Sequence, residues 1–401
     1  MRNHYIIKYD SESMLLYGIV MTMAYPAYST LLYSFFGQTE VLRNLLISMV
    51  LLIDAFAIIV NHRKASILVF IVLIFGGLFS FTYFMYPNNR WVIDSFLIDT
   101  VKYVMLAFFV AVAHHDIIYD AFKAGSILIF LCCLTEPFTK FIVAEANGYM
   151  VYGMRLLLPT VLFGYYYLQE KKKKYLLLML VGILLILFFG NRSSILNAAL
   201  VFILQIVFFN PPKNKAIRTL EIIALVFIVF VLFMSNALSI IGEWLESLGV
   251  SSRTIEIMTS GFDSMTDDNG RSIIWENCRT AISQKPWTGY GIGGDRNLML
   301  LGKNYVSRVG GVYAHNIIYE LLLDFGVIIG SLLLAFIVIM SLRLMMQKEK
   351  NKIVILFSAL TVCAFIKLMF SGSVWNELDT FLCLGLAINC YRNRKLQKNE
   401  L

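Results

Sequence analysis

The sequence carries very little charge. Only 15% of its 401 residues are Asp, Glu, Lys or Arg, whereas 59% are hydrophobic, and the mean hydropathy is +0.72. Soluble domains are about one quarter charged, so this balance excludes one. Alternating apolar and polar residues are also lacking. The apolar runs are continuous, which excludes a membrane barrel. The N-terminus has no basic, apolar, small-residue cleavage pattern, so no removable signal peptide is expected. Cysteine is sparse: Cys132, Cys133, Cys278, Cys363, Cys383 and Cys390. Five lie in or beside apolar runs, and only Cys278 falls in a polar interval. No disulfide framework and no metal-ligand spacing result. No internal repeat is visible.

What the chain has instead is long apolar runs. Runs of about 18 or more residues recur, each long enough to cross the hydrocarbon of a bilayer as a helix. Backbone groups must pair internally in lipid, so the expected fold is an all-α polytopic membrane protein. About twelve spans are read, centred near Ile19, Leu51, Ile74, Ala107, Ile129, Leu162, Leu184, Phe202, Val229, Leu332, Phe357 and Leu384. The net charge of +8 sits mostly in alternate connections: Arg63-Lys64, Lys171 to Lys174, Lys213 to Arg218, Lys348 to Lys352, and the tail from Arg392 to Lys398. With both termini cytoplasmic, every basic cluster falls inside, as the positive-inside rule requires. This accounts for the charge without nucleic acid. Three parts follow: a membrane bundle over 1–241, an extracytoplasmic loop over 242–315, and C-terminal helices with a basic tail over 316–401.

The loop before the tenth span is the only long polar interval, and it holds the chemistry. Ser272 to Ile282 suits a short amphipathic helix, because Ile274, Cys278 and Ile282 share one face. Pro286 ends it. Gly289, Gly291, Gly293 and Gly294 then force an irregular turn that brings backbone close to a substrate or a helix. No strand precedes the turn and no Lys-Ser/Thr ends it, so it is not a nucleotide cradle. Arg271 opens the short helix, and its guanidinium fork suits phosphate oxygens, although a lone loop arginine is commonly just solvated. His315 lies where the chain re-enters the membrane. It reads either as a proton acceptor or as a structural helix cap. Upstream, Arg192 sits in Gly190-Asn191-Arg192-Ser193-Ser194 between two short apolar runs. It faces an anion or polar cavity, or anchors an interface. Arg155, four residues before Pro159, is a candidate third phosphate ligand. Asp99 with Lys102, and Lys367 with Glu377 and Asp379, read as structural pairs. Asp263, Asp267 and Asp268 lack calcium-loop spacing and read as a solvated turn.

In order along the chain stand Gly270-Arg271, Trp275, Pro286, Gly289, Gly291, Gly293, His315-Asn316, Glu320 and Gly326. This set resembles the O-antigen polymerase and ligase superfamily of bacterial envelope proteins, the Wzy and WaaL types. Arg192 matches that family's mid-chain turn arginine, with Asn191 where a serine is usual. The resemblance implies a glycosyltransferase of the GT-C kind that needs no metal or other cofactor. Its implied donor is a glycan on undecaprenyl diphosphate. Its acceptor is a second lipid-linked unit for a polymerase, or a lipid core or surface polymer for a ligase. Arg192 and Arg271 would meet the leaving diphosphate and His315 the acceptor proton. Arg155, Gly289, Gly291, Gly293, Asn316 and Glu320 would contact substrate. A flippase and a chain-length regulator are implied partners, and the cytoplasmic membrane of a bacterium is the implied location. The modest loop and the Asn191 departure favour polymerase over ligase. A transporter would show two related halves, and none is found.

Overall fold

The computed structural model describes residues 2–61, 65–113, 117–138, 148–190, 192–204, 271–296, 313–346, 360–370 and 372–399, together with scattered residues between 216 and 247 and residues 356–357. Helices and turns make up all of it, and no strand occurs among the described residues. Five helices are long and apolar enough to cross a membrane: Glu12–Phe36, Glu40–Val60, Ser66–Met85, Ile118–Thr135 and Ile317–Arg343. They fall on the expected centres at Ile19, Leu51, Ile74, Ile129 and Leu332. The expected span at Val229, the acidic turn at Asp263 to Asp268 and the side chain of Lys102 lie outside the described residues.

In chain order the helices are α1 (Arg2–Phe36), α2 (Glu40–Val60), α3 (Ala65–Met85), α4 (Arg90–Asp99), α5 (Leu106–Ala113), α6 (Ile118–Thr135), α7 (Gly148–Glu170), α8 (Lys173–Phe189), α9 (Arg192–Leu204), α10 (Arg271–Gln284), α11 (Ile317–Met345), α12 (Lys367–Phe370) and α13 (Leu378–Asn399). A π-helical stretch, Thr100–Met105, joins α4 to α5, and another, Val362–Ile366, leads into α12. Gly37 at φ 79° closes the α1–α2 corner, and the Thr39 hydroxyl caps α2 by accepting from Leu42 N. Lys171 turns α7 back onto α8. These two helices approach closely enough that a Cβ on Gly182 would meet the Thr160 hydroxyl at 2.3 Å.

The core divides by solvent type. α1, α6, α7 and α8 bury Leu15, Ile19, Phe122, Tyr152, Phe163 and Tyr166 among themselves. By contrast α3 and α11 leave Val69, Phe70, Leu73, Ile328 and Leu332 exposed, the surface that lipid covers. Helix α7 lies inside the bundle, so it carries polar groups that a lipid-facing span would not. Arg155 Nη2 donates to Glu136 Oε2 at 2.8 Å, and its Nη1 donates to the Pro26 carbonyl at 2.8 Å. On the same helix, Glu170 pairs with Lys123, which faces the rings of Tyr119, Tyr166 and Tyr175. Lys367 pairs with Glu377 at 2.6 Å, the structural pairing that its spacing suggested.

Breaking one of these pairs from one side strands a charge in the bundle, which typically costs about 3–5 kcal/mol. Arg155→Met is therefore expected to lower the unfolding temperature sharply in detergent. Adding Glu136→Gln to the same chain is expected to restore most of the loss.

Candidate active site

Helix α10 places the loop residues. Its buried face, Ile274, Cys278 and Ala281, packs on Ala314 and Leu323. Trp275 Nε1 donates to the Ala314 carbonyl at 3.2 Å, and Arg279 Nη1 donates to the Tyr319 hydroxyl at 3.2 Å. The amphipathic spacing thus produced the expected helix, with Ala281 joining Ile274 and Cys278 inside. Burial raises the Cys278 thiol to about 12, so it is inert packing. Arg271, the first residue of α10, is carried to the point where α11 begins.

The glycine-rich turn is spliced into a break in α11. Gly326 is non-helical, at φ 76° and ψ 173°. In an unbroken helix Val327 N would donate to the Leu323 carbonyl. Here Val327 N donates to the Pro286 carbonyl at 2.6 Å, and the Leu323 carbonyl accepts from Tyr290 N at 2.7 Å. The Asp324 carbonyl accepts from Gly291 N at 3.0 Å. Three groups at the break, Val327 N and the Leu323 and Asp324 carbonyls, thus find partners in the loop. A Cβ on Gly289 would lie 2.5 Å from the Leu323 carbonyl oxygen, and one on Gly326 would lie 2.4 Å from the Trp287 carbonyl oxygen. Gly291 and Gly293 are pressed against Tyr86 and Val92. Asn89 Nδ2 donates to the Tyr290 and Ile292 carbonyls at 2.8 and 3.1 Å. Each of these glycines thus stands where an added side chain would strike a neighbouring segment of the chain.

The turn delivers Asp295 and Arg296, which sequence reasoning missed. Asp295 is fully buried and accepts from Ala314 N at 3.0 Å, fixing the residue before His315. The Arg296 guanidinium lies 3.1 Å from Asp295, 3.8 Å from Glu320, and over the rings of Phe96 and Tyr313. Glu320 accepts from the Ser373 hydroxyl and from Val374 N, and Asp324 accepts from Trp375 Nε1 at 2.7 Å. Asn316 caps α11: its Oδ1 accepts from Ile318 N at 2.9 Å while its Nδ2 donates to the Met369 carbonyl at 3.3 Å. Asn316 and Glu320 are both buried, and their recorded bonds hold backbone and side chains of the protein. The one signal for the missed pair was its place, directly after the fourth glycine of the turn.

His315 occupies the left-handed region at φ 51°, unusual for a side chain without local compensation. The Asp295 clamp before it and the Asn316 cap after it hold that conformation. Its ring stacks on Tyr313 at 3.8 Å between centroids. Its Nδ1 is buried and unpaired among the described residues. Burial lowers its pKa from 6.5 to about 4, and the charges of Arg271 and Arg296 add to the shift. The imidazole is therefore neutral at pH 7. Among the described residues Arg271 has no carboxylate partner, unlike Arg296 and Arg155. Arg192 opens α9, which packs on α7 and α12, and the Met369 carbonyl of α12 is the one that binds Asn316. No described group of three or more His, Cys, Asp or Glu side chains is arranged to hold a metal ion.

A multi-pass membrane protein, helical throughout its described residues and with a charged polar site, is the class that these features define. Residues 175–334 match the family model Wzy_C, O-antigen ligase. That stretch runs from α8 into α11 and contains Arg192, Arg271, the glycine turn, His315, Glu320 and Gly326. The match covers less than half of the chain and is consistent with the O-antigen polymerase and ligase superfamily that the ordered motif resembles. Members are glycosyltransferase-like enzymes. No curated protein matches the chain.

Gly326→Ala forces a side chain into the left-handed break and is expected to destabilise by about 1–3 kcal/mol from strain alone. Gly76→Ala, at a helical site with no atom near the added carbon, is the neutral control in the same thermal unfolding series. Histidine-selective NMR of the full-length protein is expected to place the His315 midpoint near 4. Removing a neighbouring positive charge with Arg271→Gln is expected to move that midpoint up toward the ordinary value of about 6.5.

Proposed function

We propose that the protein joins lipid-linked oligosaccharide repeat units into a surface polysaccharide by inverting glycosyl transfer, at the outer face of the bacterial cytoplasmic membrane. The observation that carries this reading is a guanidinium, Arg271, with no carboxylate partner among the described residues, near enough to His315 to help keep it neutral. The acceptor hydroxyl oxygen attacks the anomeric carbon of a glycan on polyprenyl diphosphate. His315 takes the hydroxyl proton as the new carbon–oxygen bond forms. The bond to the diphosphate breaks on the opposite side, and its electron pair leaves with the phosphate oxygen. Negative charge grows on that oxygen, where preorganised positive groups stabilise the transition state most. Arg271 and Arg192 supply the charge, so the reaction as proposed runs without a metal. Arg296 is neutralised by Asp295 and Glu320 and acts on His315 rather than on phosphate. The glycines, Asn316 and Glu320 hold the base in place.

Transfer to a lipid core or finished surface polymer is the second reading, favoured by the ligase description of the matching family model. The two differ in what accumulates when the gene is deleted. Loss of a polymerase leaves single units on lipid, whereas loss of a ligase leaves long chains there.

Arg192→Ala and Arg271→Ala are each expected to abolish polymer and leave single repeat units on the carrier, read on gels of lipid-linked glycan. Long-chain polymer persisting in both variants would remove the phosphate-clamp role. His315→Gln is expected to cut the transfer rate by about 100-fold or more.

A further inference from the structure

A cavity of about 330 Å³ lies between α1, α6, α7, α12 and the start of α13. Thr22, Arg155, Tyr313, Lys367, Glu377 and Asp379 give it a polar end, and Met23, Ile129, Met154 and Leu158 give it an apolar wall. Tyr313 is shared with the active site, since its ring stacks on His315 at 3.8 Å.

The charge balance of the polar end selects its occupant. Its two cations are already paired, Arg155 with Glu136 at 2.8 Å and Lys367 with Glu377 at 2.6 Å. Asp379 adds a further carboxylate to the lining. Among the described lining residues two carboxylates face two cations that are both already paired, so a diphosphate entering there would be desolvated without an uncompensated positive charge to meet it.

The backbone adds acceptors to the same wall. Pro26 lies inside α1 and Pro159 inside α7. A proline has no N–H, so each leaves the carbonyl four residues earlier without its helical donor. Those carbonyls belong to Thr22 and Arg155, both of which line the cavity. Carboxylates and freed carbonyls need ligand hydrogens. A diphosphate brings none, whereas every sugar hydroxyl brings one and accepts one in return. Arg155 Nε, buried and unpaired among the described residues, is a donor ready for such an oxygen. The apolar wall suits the C–H face of a pyranose.

We infer that this cavity is a glycan subsite, which seats the uncharged acceptor sugar one aromatic ring away from His315. The assignment of acceptor rests on the proposed role of His315 as base, whereas the preference for sugar over phosphate does not. It gives Arg155 a role in sugar binding in place of the phosphate contact expected from sequence.

The test uses full-length protein in detergent and two probes. One is the oligosaccharide released by mild acid from the cell's own lipid-linked pool, free of phosphate. The other is inorganic pyrophosphate. Calorimetric titration is expected to show the oligosaccharide binding, and Asp379→Asn and Val151→Trp each weakening it by about tenfold or more. Val151 is exposed at the cavity, so a tryptophan there fills space without entering the core. Pyrophosphate binding is expected to be unchanged in both variants and lost in Arg271→Ala. Oligosaccharide that binds wild type and both variants alike, or fails to bind wild type, overturns the subsite. So does pyrophosphate that is displaced by Val151→Trp. Retention of pyrophosphate by Arg271→Ala overturns the clamp instead and leaves the subsite standing.

Discussion

A helix passing through a bilayer cannot leave backbone groups unpaired, and α11 breaks at Gly326 all the same. The break survives because another piece of backbone fills it. Pro286 accepts what Leu323 would have accepted, and Tyr290 and Gly291 donate to the carbonyls thereby released. This exchange locks a polar loop onto the membrane bundle without a strand or a disulfide. It also requires glycine, because a side chain on either partner would strike a carbonyl within 2.6 Å. The positions of Asp295, Arg296 and the head of α11 all follow from that splice.

Around it the charges are sorted by function. Arg296 is enclosed by Asp295 and Glu320, and its field falls on Tyr313 and His315. Arg155 and Lys367 are each bound to a carboxylate inside the bundle. Arg271 has no such partner among the described residues. A phosphate-binding group must keep its charge available, whereas a structural cation must lose it to a neighbour. On the proposed reading the same residue type serves opposite ends, decided by what folds beside it. The low proton affinity of His315 belongs to this arrangement, since two nearby cations and burial all favour the neutral ring.

Much of the architecture was legible in the sequence because lipid imposes strict rules. Apolar runs placed five helices where helices occur, and a three-residue apolar pattern gave α10 nearly to its ends. The ordered motif from Arg271 to Gly326 falls inside the stretch that matches the family model. The glycine turn was legible as an irregular backbone, and tertiary packing supplied the neighbours that leave no room for a side chain there. Asp295 and Arg296 were overlooked because adjacent opposite charges in a loop usually remain solvated, and only the closing of the turn onto α11 buries them. Arg155 read as a free cation near a membrane boundary. Its partner Glu136 lies on another helix, and sequence spacing carries no sign of it.

Composition and hydropathy alone determined that the chain is a helical membrane protein, since only helices and closed barrels pair their backbone in hydrocarbon and continuous apolar runs exclude the barrel. The order of a few polar residues pointed to the family whose model matches residues 175–334. Which arginine is neutralised, which glycine meets a carbonyl, and which way the histidine titrates were decided only by tertiary structure. Each depends on groups far apart in the chain, and their electrostatic and steric effects begin only when folding brings them within a few ångströms.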